Sequence, residues 1–95
     1  VFTAAVKSEL FSISDIKVRA NAFNDYYLGE IAQNNDSQAR FIHVCCKILS
    51  GRTLLQRQQL AKLIVESLTT LKLNDVSISV EIVDMERESY IKQVN

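Results

Sequence analysis

The sequence predicts an α+β fold with helices on one face of a mixed sheet, and three observations carry that reading. Residues 41–49 and 78–83 place side chains at the period of two that a strand requires. Between them Leu60, Leu63, Ile64, Leu68 and Leu71 recur at i, i+3, i+4, i+8 and i+11, which describes a helix lying on a sheet. Residues 16–22 alternate again, ahead of both. With 95 residues, 47% of them hydrophobic, the chain suffices for one domain over 1–95 and one small core.

Taken in order, the chain opens with Phe2, Ala5, Val6 and Leu10 at helical spacing and no cap residue ahead of them. That start suggests that a first strand belongs upstream of Val1. Residues 12–15 connect this helix to a strand with Ile16, Val18, Ala20 and Ala22 on one face and Lys17, Arg19, Asn21 and Phe23 on the other. Tyr26, Tyr27 and Leu28 extend it past an irregularity at Asn24 and Asp25. The run 33–38, Gln-Asn-Asn-Asp-Ser-Gln, is rich in residues that bond their own backbone and accept left-handed geometry, so it reads as a turn. It joins strands over 16–31 and 39–49 as a hairpin.

In the second of these strands Ile42, Val44, Cys46 and Ile48 share one face. Phe41, His43, Cys45, Lys47 and Leu49 share the other, which is too apolar for ordinary exposure, so both faces call for cover and one invites another subunit. Ser50-Gly51-Arg52 turns the chain, and Thr53 with Gln56 has capping-box spacing at the mouth of the next helix. Asn74 and Asp75 end that helix. Ile78, Val80 and Ile82 then alternate with Ser77, Ser79, Glu81 and Val83 as a last strand, and the tail from Met85 is too polar for its structure to be legible.

Composition excludes several function classes. Eleven basic residues against eleven acidic ones leave no electrostatic case for nucleic acid or a membrane surface. No apolar run approaches the ~20 residues of a spanning helix, and the start has no signal-peptide pattern. Cys45 and Cys46 are adjacent on a strand and point to opposite faces, which makes neither a disulfide framework nor a metal clip. Buried free thiols in a reducing cytoplasm are the plain reading. His43, the one histidine, lacks the partners of a zinc site and reads as a satisfied core group rather than a base. Glu81 reads as solvated or paired with a lysine. No cofactor motif is present.

One constellation remains. A strand that delivers an arginine to a helix mouth can hold an anion, because the first backbone N–H groups carry partial positive charge and the guanidinium adds a full one. Lys17, Arg19 and Arg52 could form such a cationic set, while composition alone reads them as ordinary surface charges.

The residues from Phe41 to Gln59, in the pattern F-I-H-V-x-x-K-I-x-x-G-R-T-L-x-x-R-Q-Q, resemble the corresponding segment of the 5-carboxymethyl-2-hydroxymuconate isomerase family of the tautomerase superfamily. The match fixes strand, Gly-Arg turn and Arg-Gln-Gln helix together, and a weaker likeness covers most of the chain. It implies a β-α-β repeat whose first strand, opened by a catalytic proline, precedes Val1; this chain contains no proline. It implies a homotrimer without metal or organic cofactor, acting on a small anionic dienol carboxylate from aromatic-compound degradation. A proline amine, kept neutral by nearby cations and desolvation, would move the proton, and the cations would hold carboxylates and stabilise developing charge. By position, Arg52 matches a site arginine and Arg19 a neighbouring basic residue. Lys17 falls where the family often has arginine, and it loses the bidentate fork there. A non-catalytic trimeric binding or assembly module of the same fold is the alternative.

Overall fold

A computed structural model describes residues 1–23 and 40–95. It shows an α+β arrangement: helix α1 (Phe2–Lys7), strand β1 (Arg40–Leu49), helix α2 (Leu54–Thr69) and strand β2 (Val76–Met85). Short 3-10 turns stand at Ile13–Asp15 and Arg87–Ser89. β1 and β2 pair in parallel, in register from Arg40↔Val76 to Leu49↔Met85, so β1–α2–β2 is a β-α-β unit.

The core forms where the apolar periods of these elements meet. Leu60 and Ile64 of α2 are completely buried, and Ile48 of β1 and Ala4 of α1 complete the buried cluster. Val44, Cys46, Val80 and Ile82 pack against it from the inner face of the sheet, and Leu63 and Leu68 from the helix. Burying one such Leu or Ile side chain contributes about 1.5–3 kcal/mol. The alanines let α1 approach α2 closely.

α2 starts as its sequence directs. Thr53 accepts from the Gln56 N–H at 3.1 Å, and the Gln56 side chain accepts from the Thr53 N–H at 2.9 Å, closing a reciprocal cap. It stops earlier than the apolar repeat suggests. The Thr69 and Thr70 hydroxyls donate to the carbonyls of Val65 and Ser67, Lys72 and Asp75 adopt positive φ (52° and 55°), and Leu71 is 59% exposed rather than packed.

Other expectations are corrected. Residues 16–23 form no strand, although Ile16 has extended backbone angles. Alternation with Ala20 and Ala22 on the apolar face offers little area to bury, and Val18 and Phe23 are 52% and 68% exposed. The rest of the expected hairpin, with its turn at 33–38, lies outside the described residues. The first helix is shorter than its spacing suggests. It buries Ala4 and Ala5, while Phe2 is 44% exposed.

His43 is not a core residue. It lies on the exposed outer face, with Nδ1 2.7 Å from Ser79 Oγ and Nε2 3.5 Å from Glu81 Oε2. Register explains this, since His43 pairs with Ser79 and the next outward positions bring Cys45 beside Glu81. Cys45 is exposed and Cys46 half-buried, so the cysteines do face opposite ways but are not both buried. Near the C-terminus, Lys92 Nζ donates to Asp15 Oδ1 at 2.7 Å.

Candidate functional site

Parallel pairing brings two chain segments to one end of the sheet. β1 ends at Leu49 opposite Met85, and the Ser50 N–H donates to the Met85 carbonyl at 2.8 Å. The turn 50–52 and the segment 86–89 therefore leave the sheet together, at the carboxyl ends of its strands. Ligands of open α/β sheets characteristically bind at that end.

Gly51 makes the corner, with φ +117°, a region L side chains rarely adopt. Arg52 follows, half-buried. Its Nη1 donates to the Leu49 carbonyl at 3.1 Å and its Nη2 to the Leu10 carbonyl at 3.0 Å. The guanidinium carbon lies 5.1 Å from the centre of the Phe11 ring, within cation–π range. A guanidinium has five N–H groups. The two carbonyl bonds therefore leave Nε–H and one N–H on each terminal nitrogen for a ligand.

Two further arginines share this end. Arg57, in the first turns of α2, sits 3.7 Å from Asp84 Oδ2, and its Nε is buried without a hydrogen-bond partner. Arg87 donates from Nε to the Ser50 carbonyl. Neither Arg52 nor Arg87 pairs with a carboxylate among the described residues. The α2 N-terminus, at Thr53, adds the partial positive charge of a sixteen-residue helix to the same corner.

Lys17 and Arg19 are exposed on residues 16–23. Lys17 lies close enough to Asp15 to help hold that carboxyl below its usual range, after the larger effects of Lys92. Among the described residues, no hydrogen bond or ion pair links Lys17 or Arg19 to Arg52. Sequence reasoning singled out Arg52 and passed over Arg87, whose position at this end of the sheet follows from the parallel β1–β2 pairing and not from any local pattern.

Elsewhere, a groove of about 420 Å³ between α1 and α2, lined by Thr3, Lys7, Glu66 and Thr70 among others, is open to solvent. Among the described residues no three His, Cys, Asp or Glu side chains gather as metal ligands, and no helix is long and apolar enough to cross a membrane.

No curated protein matches the chain. A sequence model of one family, 5-carboxymethyl-2-hydroxymuconate isomerase, matches residues 1–95, the whole of the chain. A family with this name implies isomerase or tautomerase chemistry on a small molecule. On that match, the chain belongs to the 5-carboxymethyl-2-hydroxymuconate isomerase family.

Proposed function

We propose that the protein shifts a double bond by proton transfer in a small dienol carboxylate such as 5-carboxymethyl-2-hydroxymuconate, with Arg52 holding a substrate carboxylate. The observation that supports this most is Arg52 itself. It stands at the carboxyl end of the parallel sheet, is fixed by two carbonyls and an aromatic face, and keeps three N–H groups for an anion. A donor held in place before the reaction stabilises developing charge without reorganising. Lys17 and Arg19 supply further positive charge in this reading.

The reaction is an isomerisation: one proton leaves the 2-hydroxydiene system, one returns to carbon, and the double bond moves into conjugation with no net change of atoms. The base is an amino-terminal proline amine. None of the 95 residues is a proline, so the base is not one of them. The assembly is a homotrimer whose subunits cover the outer sheet face, and the setting is cytoplasmic breakdown of aromatic compounds.

One observation favours the second reading, a non-catalytic trimeric binding or assembly module. Two of Arg52's N–H groups already satisfy backbone carbonyls, as those of a purely structural arginine would.

The deciding experiment follows the ultraviolet absorbance of 2-hydroxymuconate-type dienols. It uses both the 95-residue chain and protein carrying whatever coding sequence precedes Val1. Turnover that falls about a hundredfold in Arg52→Ala, roughly 3 kcal/mol of transition-state stabilisation, supports the site. Arg52→Lys should recover only part of it. Wild-type turnover in Arg52→Ala would remove the assignment, and no turnover by either protein form would favour the binding module.

A further inference from the structure

A hydroxyl, an imidazole and a carboxylate meet on the outer face of the sheet, and nothing said so far of Arg52 uses them. His43 and Ser79 are direct partners in the parallel register, and their Nδ1 and Oγ lie 2.7 Å apart. Glu81 is the next outward residue of β2, and its Oε2 lies 3.5 Å from His43 Nε2. All three side chains are exposed.

The two contacts decide where the hydrogens of the neutral ring go. A carboxylate only accepts, so Glu81 favours the tautomer with hydrogen on Nε2. At 3.5 Å the attraction is electrostatic rather than a tight hydrogen bond, yet it acts against the other tautomer, whose lone pair would face the carboxylate. Nδ1 then carries a lone pair, and the Ser79 hydroxyl is the donor in the short contact. A serine that donates to an imidazole, with the far side of the ring held by an acid, has the order of nucleophile, base and orienting group that activates a hydroxyl.

We propose that Ser79 is a nucleophilic serine, with His43 as its base and Glu81 positioning the imidazole, and that it takes the acyl group of small activated esters. In the step, Ser79 Oγ bonds to the acyl carbon and its proton passes to His43 Nδ1. The ester C–O bond breaks, and the leaving group departs with the electron pair. Water then splits the serine ester and releases the acid. Backbone amides of a sheet lie in the plane of its ladder rather than on its face, so no oxyanion site accompanies the trio. The fitting class is therefore aryl esters, whose leaving groups need little help. The assignment is independent of the Arg52 reading.

Acetylation by p-nitrophenyl acetate tests it, followed as nitrophenolate release and by mass spectrometry of the peptide that carries Ser79. Cys45 is exposed on the same face and its thiol would compete, so the full chain carries Cys45→Ala throughout. Protein concentration runs down to nanomolar, so that association of copies over this face does not hide the hydroxyl. The expected result is an acetyl group on Ser79, formed more slowly in D2O than in water. His43→Gln should slow it about hundredfold and abolish the D2O difference, as loss of a general base does. Glu81→Gln keeps an acceptor for Nε2–H without the charge and should fall between, with the D2O difference kept.

A Ser79 that stays unmodified at every concentration overturns the proposal, as does acetyl found only on lysines or the amino terminus. An unchanged Ser79 rate in folded His43→Gln overturns it too, since it marks the trio as a surface hydrogen-bond cluster. His43→Asn, which also removes the base, replaces His43→Gln should circular dichroism show that variant unfolded.

Discussion

Arg52 and Leu10 meet across 42 positions of sequence: the Arg52 Nη2 donates to the Leu10 carbonyl at 3.0 Å while Nη1 holds the Leu49 carbonyl. One side chain thus ties the exit of α1 to the end of β1. The same bonds that aim the guanidinium also hold the fold together, so the proposed carboxylate role is coupled to a structural one.

Arg52→Ala should therefore lower stability as well as turnover. Two part-buried carbonyls lose a charged donor and the Phe11 ring loses its cation. Hydrogen bonds to charged groups contribute about 1.5–3 kcal/mol each, and water can replace some of what is lost here, so a net loss on the order of 2 kcal/mol is expected. Urea unfolding monitored by circular dichroism measures it. A midpoint unchanged from wild type would mean that the α1 exit is held by other contacts.

The two cysteines should separate in reactivity. Cys45 is exposed on the outer sheet face, whereas burial, and secondarily the neighbouring Cys45, pushes the Cys46 thiol up. Since the thiolate is the reactive form, Cys46 should label more slowly than Cys45 with a disulfide reagent at neutral pH. The Cys45 rate also reports assembly. If the outer face is covered by neighbouring subunits, Cys45 slows as protein concentration rises through the association range, and Cys45→Asp, placed beside Glu81, yields monomers in sedimentation. A Cys45 rate independent of concentration, with a monomer throughout, would remove the trimer.

These outcomes show which features a sequence can carry. β1, α2 and β2 were legible because each repeats apolar residues at its own period, and Ile48, Leu60 and Ile64 are where those periods intersect. The reciprocal cap at Thr53 and Gln56 was legible because it is local. Residues 16–23, part of the strand expected over 16–31, share the alternation but carry only alanine at 20 and 22 on the apolar face, and alternation alone supplies no partner. His43 was misplaced because its pairing with Ser79 and Glu81 depends on register between strands 36 residues apart. Arg87 was invisible for the same reason: only the closing of the parallel pair carries it to Gly51.

Asp15 and Lys92 set the pH behaviour of the C-terminal tail. Hydrogen bonding and then charge attraction from Lys92 lower the Asp15 pKa below its ordinary 3.8, and the same two effects from Asp15 raise that of Lys92 above 10.5. A depressed carboxyl pKa gives stabilisation that is present above 3.8 and lost as pH falls through the folded value. A raised lysine pKa gives stabilisation that is present below 10.5 and lost as pH rises through the folded value. The tail should hold its place across the neutral range and loosen at both extremes. Both groups are exposed, so salt should screen the effect. Amide exchange of residues 90–95 in wild type and Lys92→Ala checks this. Equal exchange in the two proteins at low salt and pH 7 would show that the pair does not hold the tail.

Gly51 gives the sharpest test of the corner. Its φ of +117° lies well beyond the left-handed region near φ +57° that asparagine and aspartate tolerate. Asp75, at φ 55°, occupies that easier region with a side chain in place. A Cβ at Gly51 would make only ordinary van der Waals contact with Arg87, the nearest atom being 3.5 Å away, so the penalty comes from backbone strain rather than collision. Strain of this kind costs on the order of 1–3 kcal/mol. Gly51→Ala and Gly51→Asn should accordingly lose similar stability in urea, because asparagine's usual advantage at positive φ does not reach +117°. If the strained turn relaxes by rotating its carbonyls, Arg87 loses its hold on Ser50, and both variants should also weaken anion binding at the corner. Asparagine restoring wild-type stability would show that the turn can settle into the ordinary left-handed region, and that glycine is not required to form this corner.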